Sequence, residues 1–277
     1  MNQPPKAKVF LEGRYRKLTR DLPQTVFYCP ECKGHPRRRR KCERCEGYGK
    51  LTRDSVQELV AWVAGRLFGT RKNKFHGAGR EDVDVRMLGR GRPFVLELIA
   101  PKNFEIDLAE LEAEINRRNE GRLEIQGLHW SEKSRIRHLK ESPHAKEYEA
   151  LVKTDGAVAA NAFEELLGRR VEVTQRTPGR VAHRRADLER MRWVEYVGFE
   201  PVAEDRLRVR LLTEHGTYVK EVLSGEGGKT RPSLGDQLGV ACECLELDVL
   251  AILDAEGNPE PEVEAPPSFG AAVEEVE

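Results

Sequence analysis

An arginine and a carboxylate two positions apart, at a glycine-rich entry to an alternating segment, are the residues of this chain best suited to chemistry on a phosphate-rich substrate. They are Arg80 and Asp82, in the stretch Phe75-His76-Gly77-Ala78-Gly79-Arg80-Glu81-Asp82-Val83-Asp84-Val85-Arg86. A guanidinium can hold a phosphate, and a carboxylate can act as acid, base or nucleophile. The alternation Val83-Asp84-Val85-Arg86 predicts that the loop runs into a strand, with Asp82 and Asp84 on one face. From these residues alone, an acidic loop entering an exposed edge strand accounts for the stretch equally well.

A second constellation is built from sulfur. Cys29-Pro30-Glu31-Cys32 and Cys42-Glu43-Arg44-Cys45 are separated by nine residues. Two such pairs can set four thiolates, Cys29, Cys32, Cys42 and Cys45, tetrahedrally around one Zn²⁺. Gly34 and Gly47 follow their pairs at the same offset, which permits the turn beneath the metal. With all four positions filled by protein no ligand site stays open, so the expected role is structural. A redox CxxC reading leaves the second pair unexplained. Only two CxxCxGxG-like units are present, so the likeness to zinc-binding chaperone repeats is partial. Arg37-Arg38-Arg39-Arg40-Lys41 lies between the pairs, where zinc would hold it at the surface against phosphates. Cys242 and Cys244 alternate along one strand and read as ordinary core or subsurface residues.

The elements that must position these groups follow from periodicity. Residues 1–53 read as a basic, loop-like segment carrying the cysteine module. Val56, Leu59, Val60, Val63 and Leu67 recur at helical spacing behind an Asp54 or Ser55 cap. Residues 69–79 read as a glycine-bounded basic loop, and 83–88 with 93–99 as a hairpin around Gly89-Arg90-Gly91-Arg92. A helix is predicted over 107–119, with Asp107 and Glu110 at capping-box spacing, and another over 157–167 ending at Gly168. Strand-like runs occupy 122–129, 147–153, 169–175, 193–202, 206–213 and 243–252. Many strands with few helices predict an α+β fold around one extended sheet, not βαβ repeats. The expected division is a zinc-knuckle segment 1–53, a main domain 54–253, and an acidic, disordered tail 254–277 rich in Pro, Glu and Ala.

Of 277 residues, 39% are hydrophobic and 34% charged, and the formal net charge is +0. That zero conceals segregation. Residues 1–50 hold fourteen Lys or Arg against five Asp or Glu, residues 169–192 hold eight arginines, and 254–277 hold eight acids and no base. A basic body with an acidic end predicts an anionic polymer partner, most simply nucleic acid. Neither a secretory signal nor an 18-residue apolar run is present, so a cytoplasmic location without membrane contact is expected.

Three further stretches accompany the opening one in order: Lys146-Glu147-Tyr148-Glu149-Ala150-Leu151-Val152, the arginine-rich Gln175 to Asp187, and His215-Gly216-Thr217-Tyr218-Val219-Lys220-Glu221. Together with Leu11 to Lys17 and Leu22-Pro23-Gln24-Thr25, they resemble the pseudouridine synthase superfamily. More closely, the chain resembles the archaeal and eukaryotic tRNA pseudouridine synthase Pus-ten family, over about residues 10–252. The resemblance implies an α+β catalytic fold on a long mixed, mostly antiparallel sheet. It implies isomerisation of uridine to pseudouridine in the TΨC arm of tRNA, at position 55, 54 or both. In the Gly-Arg-x-Asp register the catalytic aspartate falls on Asp82, and Arg80 on the arginine that holds a flipped-out nucleotide. Tyr148 falls on the tyrosine that stacks on the target base, and Lys220 on the cation of Gly-Thr-Tyr-x-Lys/Arg expected to pair with the aspartate, with Tyr218 beside it. Arg180 and Arg184 belong to an RNA-facing loop, and His183 among them to RNA contact or loop support.

The physics is consistent with those roles. A uridine must be unstacked and flipped before its glycosidic bond is accessible, an aromatic face can receive it, and a reacting carboxylate must be ionised, a form that a nearby cation favours. The implied reaction breaks N1–C1′, rotates the uracil and rejoins it through C5, with no redox or nucleotide cofactor. Members of the family usually carry a THUMP-type RNA-binding region ahead of the catalytic half, so a separate RNA-binding subunit or domain is an expected partner. Two other readings compete. One is a non-catalytic zinc-containing RNA-binding protein or tRNA chaperone. The other is a Mg²⁺ nuclease using Glu81, Asp82 and Asp84, which lacks further carboxylates at suitable spacing.

Overall fold

The computed structural model describes residues 7–158, 160–182, 185–253 and 273–274, with backbone only for 160, 273 and 274. The chain divides into two units, one holding residues 1–142 with 262–277, the other residues 143–261.

The first unit is built on strands β1 (Lys8–Lys17), β2 (Lys72–Gly77), β3 (Arg86–Ile99) and β4 (Leu123–Ser131). Its helices are α1 (Pro36–Arg39), α2 (Val56–Leu67), α3 (Leu108–Arg118) and α4 (Lys133–Glu141). β1 pairs antiparallel with both β3 and β4, β2 pairs antiparallel with β3, and the short strand Val273–Glu274 lies beside Lys8 and Val9. α2 begins as its spacing predicts: Ser55 Oγ accepts from Glu58 N at 3.2 Å. Asp107 caps α3 by accepting from Ala109 N and Glu110 N.

Three expectations fail in this unit. Residues 8–17 are a strand, not loop: β1 is buried along nearly its whole length although it carries Glu12, Arg14 and Lys17. Each of these is partnered, Glu12 by Arg135 at 2.7 Å and Ser131 at 2.8 Å, Arg14 by Gly91 O at 3.1 Å. Charge disguised a central strand. Residues 72–77, expected in a loop, form β2. The predicted hairpin at 83–99 is one strand preceded by a turn at Val83-Asp84. Gly89 and Gly91 (φ 54° and 77°) make an irregularity within it, between the pairs Tyr15–Arg92 and Lys17–Met87. A Cβ on Gly91 would sit 2.7 Å from Tyr15 O, so the close backbone approach requires glycine.

The second unit is a six-stranded antiparallel sheet in the order β10-β5-β8-β7-β6-β9. Its elements are β5 (Lys146–Thr154), α5 (Ala160–Glu164), β6 (Arg170–Arg176), β7 (Glu189–Ala203), β8 (Arg206–Thr213), α6 (Val219–Ser224), β9 (Thr230–Arg231), α7 (Leu234–Leu238) and β10 (Cys242–Ile252). A parallel bridge joins Leu167 to Tyr196. Val152, Val194, Tyr196, Val209 and Leu211 are fully buried from the sheet, and Val222, Leu223 and Leu234 from α6 and α7. Cys242 is buried in β10 and Cys244 half-buried, as core cysteines should be. The helix expected over 157–167 is only the five residues of α5. The α+β class holds in both units.

Candidate functional site

Asp82 stands on a loop that is fastened through its backbone. Arg92 donates to Ala78 O (2.7 Å), Gln24 to Gly79 O (2.9 Å), Lys17 to Asp82 O and Val83 O (both 2.9 Å), and Arg20 to Asp84 O (3.2 Å). Lys17 is fully buried and also donates to Leu22 O at 2.7 Å, so its three N–H bonds are all placed. Burial pushes its ammonium down to about 8, against the opposing pull of Glu81, Asp84 and Asp82. Val85 N closes the turn on Asp82 O at 3.2 Å. The side chains differ sharply: Arg80 is exposed, Asp82 half-buried and Glu81 buried.

Glu81 supports this loop from inside. Its carboxylate accepts from Tyr15 Oη at 2.8 and 2.9 Å and pairs with Arg92 Nε at 2.8 Å, with both charged side chains 1% exposed. Gln24 donates to Tyr15 Oη at 2.8 Å. Burial and the Glu81 charge raise the Tyr15 phenol well above its usual range, so it stays a donor. Tyr15, Phe75 and Phe94 form the apolar floor, with centroids 5.0–6.2 Å apart. Because residues 82–84 lie in a loop and turn, strand alternation does not place Asp82 and Asp84 on a common face. Glu81 is committed to Arg92 and Tyr15, which removes one of the three acids of the nuclease reading. Among the described residues, no three carboxylates cluster closely enough to hold a metal.

The remaining candidates lie in the second unit. Tyr148 is half-buried on β5, paired across to Val249 and Leu211. Tyr218 caps α6 and Lys220 is in its first turn, both half-buried. Gln175, buried on β6, fixes this segment from both sides: it accepts from Tyr218 N and donates to Tyr218 O, each at 3.0 Å. Arg180 forks onto the buried Glu221 at 2.6 and 3.0 Å and lies 6.0 Å from the Tyr218 ring centroid. It therefore ties its loop to α6 next to Lys220. Arg184 and His183 lie outside the described residues, as does the segment 254–277 apart from 273–274.

The structure brings all four cysteines of the module together, their sulfurs within 4.8 Å of one another. Cys29 to Cys42 is 3.7 Å and Cys32 to Cys45 is 3.6 Å. A tetrahedron with metal–sulfur bonds of about 2.3 Å has edges of about 3.8 Å, so the cluster fits a tetrahedral thiolate site. After each second cysteine the chain turns left-handed twice, at Lys33 and Gly34 and again at Glu46 and Gly47. Backbone N–H groups of Cys32 and Glu31 help bring the Cys29 thiol down to about 7, while burial pushes Cys42 up to about 12. Four thiolates this close would repel one another, a repulsion that a cation held between them would relieve.

The supporting residues Tyr15, Lys17, Gln24 and Arg92 had no assigned role in the sequence, although Leu11–Lys17 and Leu22–Thr25 entered the family resemblance. The signal was a lysine and a glutamine beside apolar residues in a segment that otherwise reads as basic loop.

Comparison with known proteins gives a consistent family. The family model described as Pus10, C-terminal matches residues 10–253. The tRNA pseudouridine synthase Pus10 of Korarchaeum cryptofilum is 45% identical over 250 residues, 89% of this chain and 66% of that protein. That of Methanopyrus kandleri is 41% identical over 254 residues, 90% of this chain and 57% of that protein. The chain thus spans less than two thirds of the length of these relatives. A solved Cbf5-Nop10-Gar1 complex aligns over 71% of this chain and 45% of that one, at 21% identity and a TM-score of 0.42.

Proposed function

This chain belongs to the Pus10 C-terminal family, and on that premise we propose that it is a tRNA pseudouridine synthase acting on uridine 55, 54 or both in the TΨC arm. Asp82 is the reacting carboxylate. Arg80 holds the displaced nucleotide, Tyr148 receives the flipped base, and Lys220, with Tyr218 and Arg180 around it, serves the substrate. The N1–C1′ bond breaks, the uracil turns, and C5 bonds to C1′; the proton leaving C5 is balanced by one gained at N1. The residues of the metal module fit a structural Zn²⁺, which would fix the knuckles and take no part in that bond exchange. No helix among the described residues is long and apolar enough to cross a membrane, and the proposed location is cytoplasmic.

The observation that carries this reading is the fastening of the Gly79–Asp84 loop through its carbonyls, by the buried Lys17 and Gln24 and by Arg20. A reacting carboxylate needs a fixed position relative to the sugar, since misplacement of about 1 Å can cost about 100-fold in rate. Here the fixing acts on the backbone carbonyls of the loop. The test is incubation of the purified chain with an unmodified tRNA transcript, followed by chemical mapping of pseudouridine. Wild type is expected to form product, and Asp82→Asn to form none while still binding tRNA. A fully active Asp82→Asn protein refutes the assignment.

A further inference from the structure

The metal module carries a surface that the proposed reaction does not use. A cavity of about 510 Å³ opens beside its second knuckle, lined in part by Arg44, Glu46, Tyr48, Lys50, Leu51 and Arg53. The Tyr48 ring is half open to solvent. Its hydroxyl donates to Arg53 O at 3.1 Å, and Lys50 Nζ sits 5.3 Å from the ring centroid. Lys50 itself is neutralised by Glu58 at 2.6 Å, so it positions the ring and adds little free charge.

The available charge comes from Arg44 and Arg53, whose side chains are 51% and 88% exposed. Arg44 meets Glu31 at 3.6 Å and Arg53 meets Asp54 at 4.0 Å, loose pairs of little strength. The stem of Arg39 crosses Gly49 so closely that a Cβ there would lie 3.1 Å from its Cδ. The cavity is also tied to the metal ligands. Tyr48 N donates to Cys45 O at 2.7 Å, and Gly49 N to Cys45 Sγ at 3.1 Å.

A half-open aromatic ring bordered by exposed guanidiniums matches one nucleotide with its phosphate: the base stacks, the phosphate meets arginine. We propose that this cavity is an RNA subsite for one unpaired nucleotide, with its base against Tyr48 and its phosphate on Arg44 and Arg53. The choice of RNA rests on the reading of the chain as an RNA-modifying enzyme. The nucleotide is unpaired because a base inside a duplex has no face to offer the ring. An acidic peptide would use the arginines but would not depend on the ring.

The test is fluorescence anisotropy on the full, metal-loaded chain, with a labelled unmodified tRNA transcript and a labelled uridine oligonucleotide. Tyr48→Ala is expected to weaken both complexes about 10-fold and Tyr48→Phe to bind like wild type. Arg44→Ala combined with Arg53→Ala is expected to make the dependence of log K on log[salt] shallower by about 1.4. Undiminished binding by Tyr48→Ala with its metal retained, or equal weakening by Tyr48→Phe, overturns the proposal. If Tyr48→Ala loses metal, the double arginine variant decides, and an unchanged salt slope overturns it. Pseudouridine formation is measured on the same samples. A wild type that binds RNA without modifying it fails the enzymatic reading and leaves the subsite test intact.

Discussion

Glu81 and Asp82 are neighbouring carboxylates with opposite fates. Glu81 is sealed against Arg92 and Tyr15, whereas Asp82 is half-buried on the loop above them. Removing one partner of a buried ion pair leaves an uncompensated charge and costs about 3–5 kcal/mol. Glu81→Gln is therefore expected to lose about that much stability in urea unfolding, while Asp82→Asn changes it by less than about 1 kcal/mol. Equal stability of the two variants contradicts this division of labour. Nothing in the residue types separates the two acids: both follow Arg80 within two positions, side by side in one loop. The Gly-Arg-x-Asp register selected Asp82, and burial distinguishes it from Glu81 only after Arg92 and Tyr15 arrive from other strands.

At the scale of elements, the cysteine module was the most legible part of the chain, because two CxxC pairs define a geometry by spacing alone. Its four sulfurs do lie within bonding reach of one ion. Elemental analysis is expected to give one zinc per chain, and stripping the metal should expose all four thiols to a thiol reagent. Four thiols that stay unreactive in metal-free protein would contradict a metal-dependent module. α2 and α3 were equally legible, since caps and helical spacing are local signals. β1 was not. Glu12, Arg14 and Lys17 read as surface until Arg135, Ser131, the Gly91 carbonyl of β3 and the carbonyls of the loop supply their partners, all distant in sequence. β3 was misread for the opposite reason: Gly89 and Gly91 are strong turn signals, yet here they accommodate the close approach of Tyr15 within a single strand.

For the whole molecule, a net charge of +0 hides the segregation of bases toward residues 1–50 and 169–192. Affinity for RNA should therefore fall steeply with salt, with a log–log slope of about −3 or steeper, because local phosphate contacts and not net charge set counterion release. Titrating tRNA binding between low and physiological salt checks this, and a slope near zero contradicts it. The α+β class could be read from the run of strands. The pairing order of the six-stranded sheet and the division into two units could not, because ladders join segments that carry no local mark of one another. The loop of Asp82 has one more property. The anchors from Lys17, Gln24 and Arg20 grip carbonyl oxygens, which every amino acid possesses, so these holds on the mount survive a change of side chain along it. Heredity can thus experiment with the tool at the tip of this loop, inactivating or retuning it, without dismantling the holder. A lineage that had lost the reaction could still keep the fold and its grip on RNA.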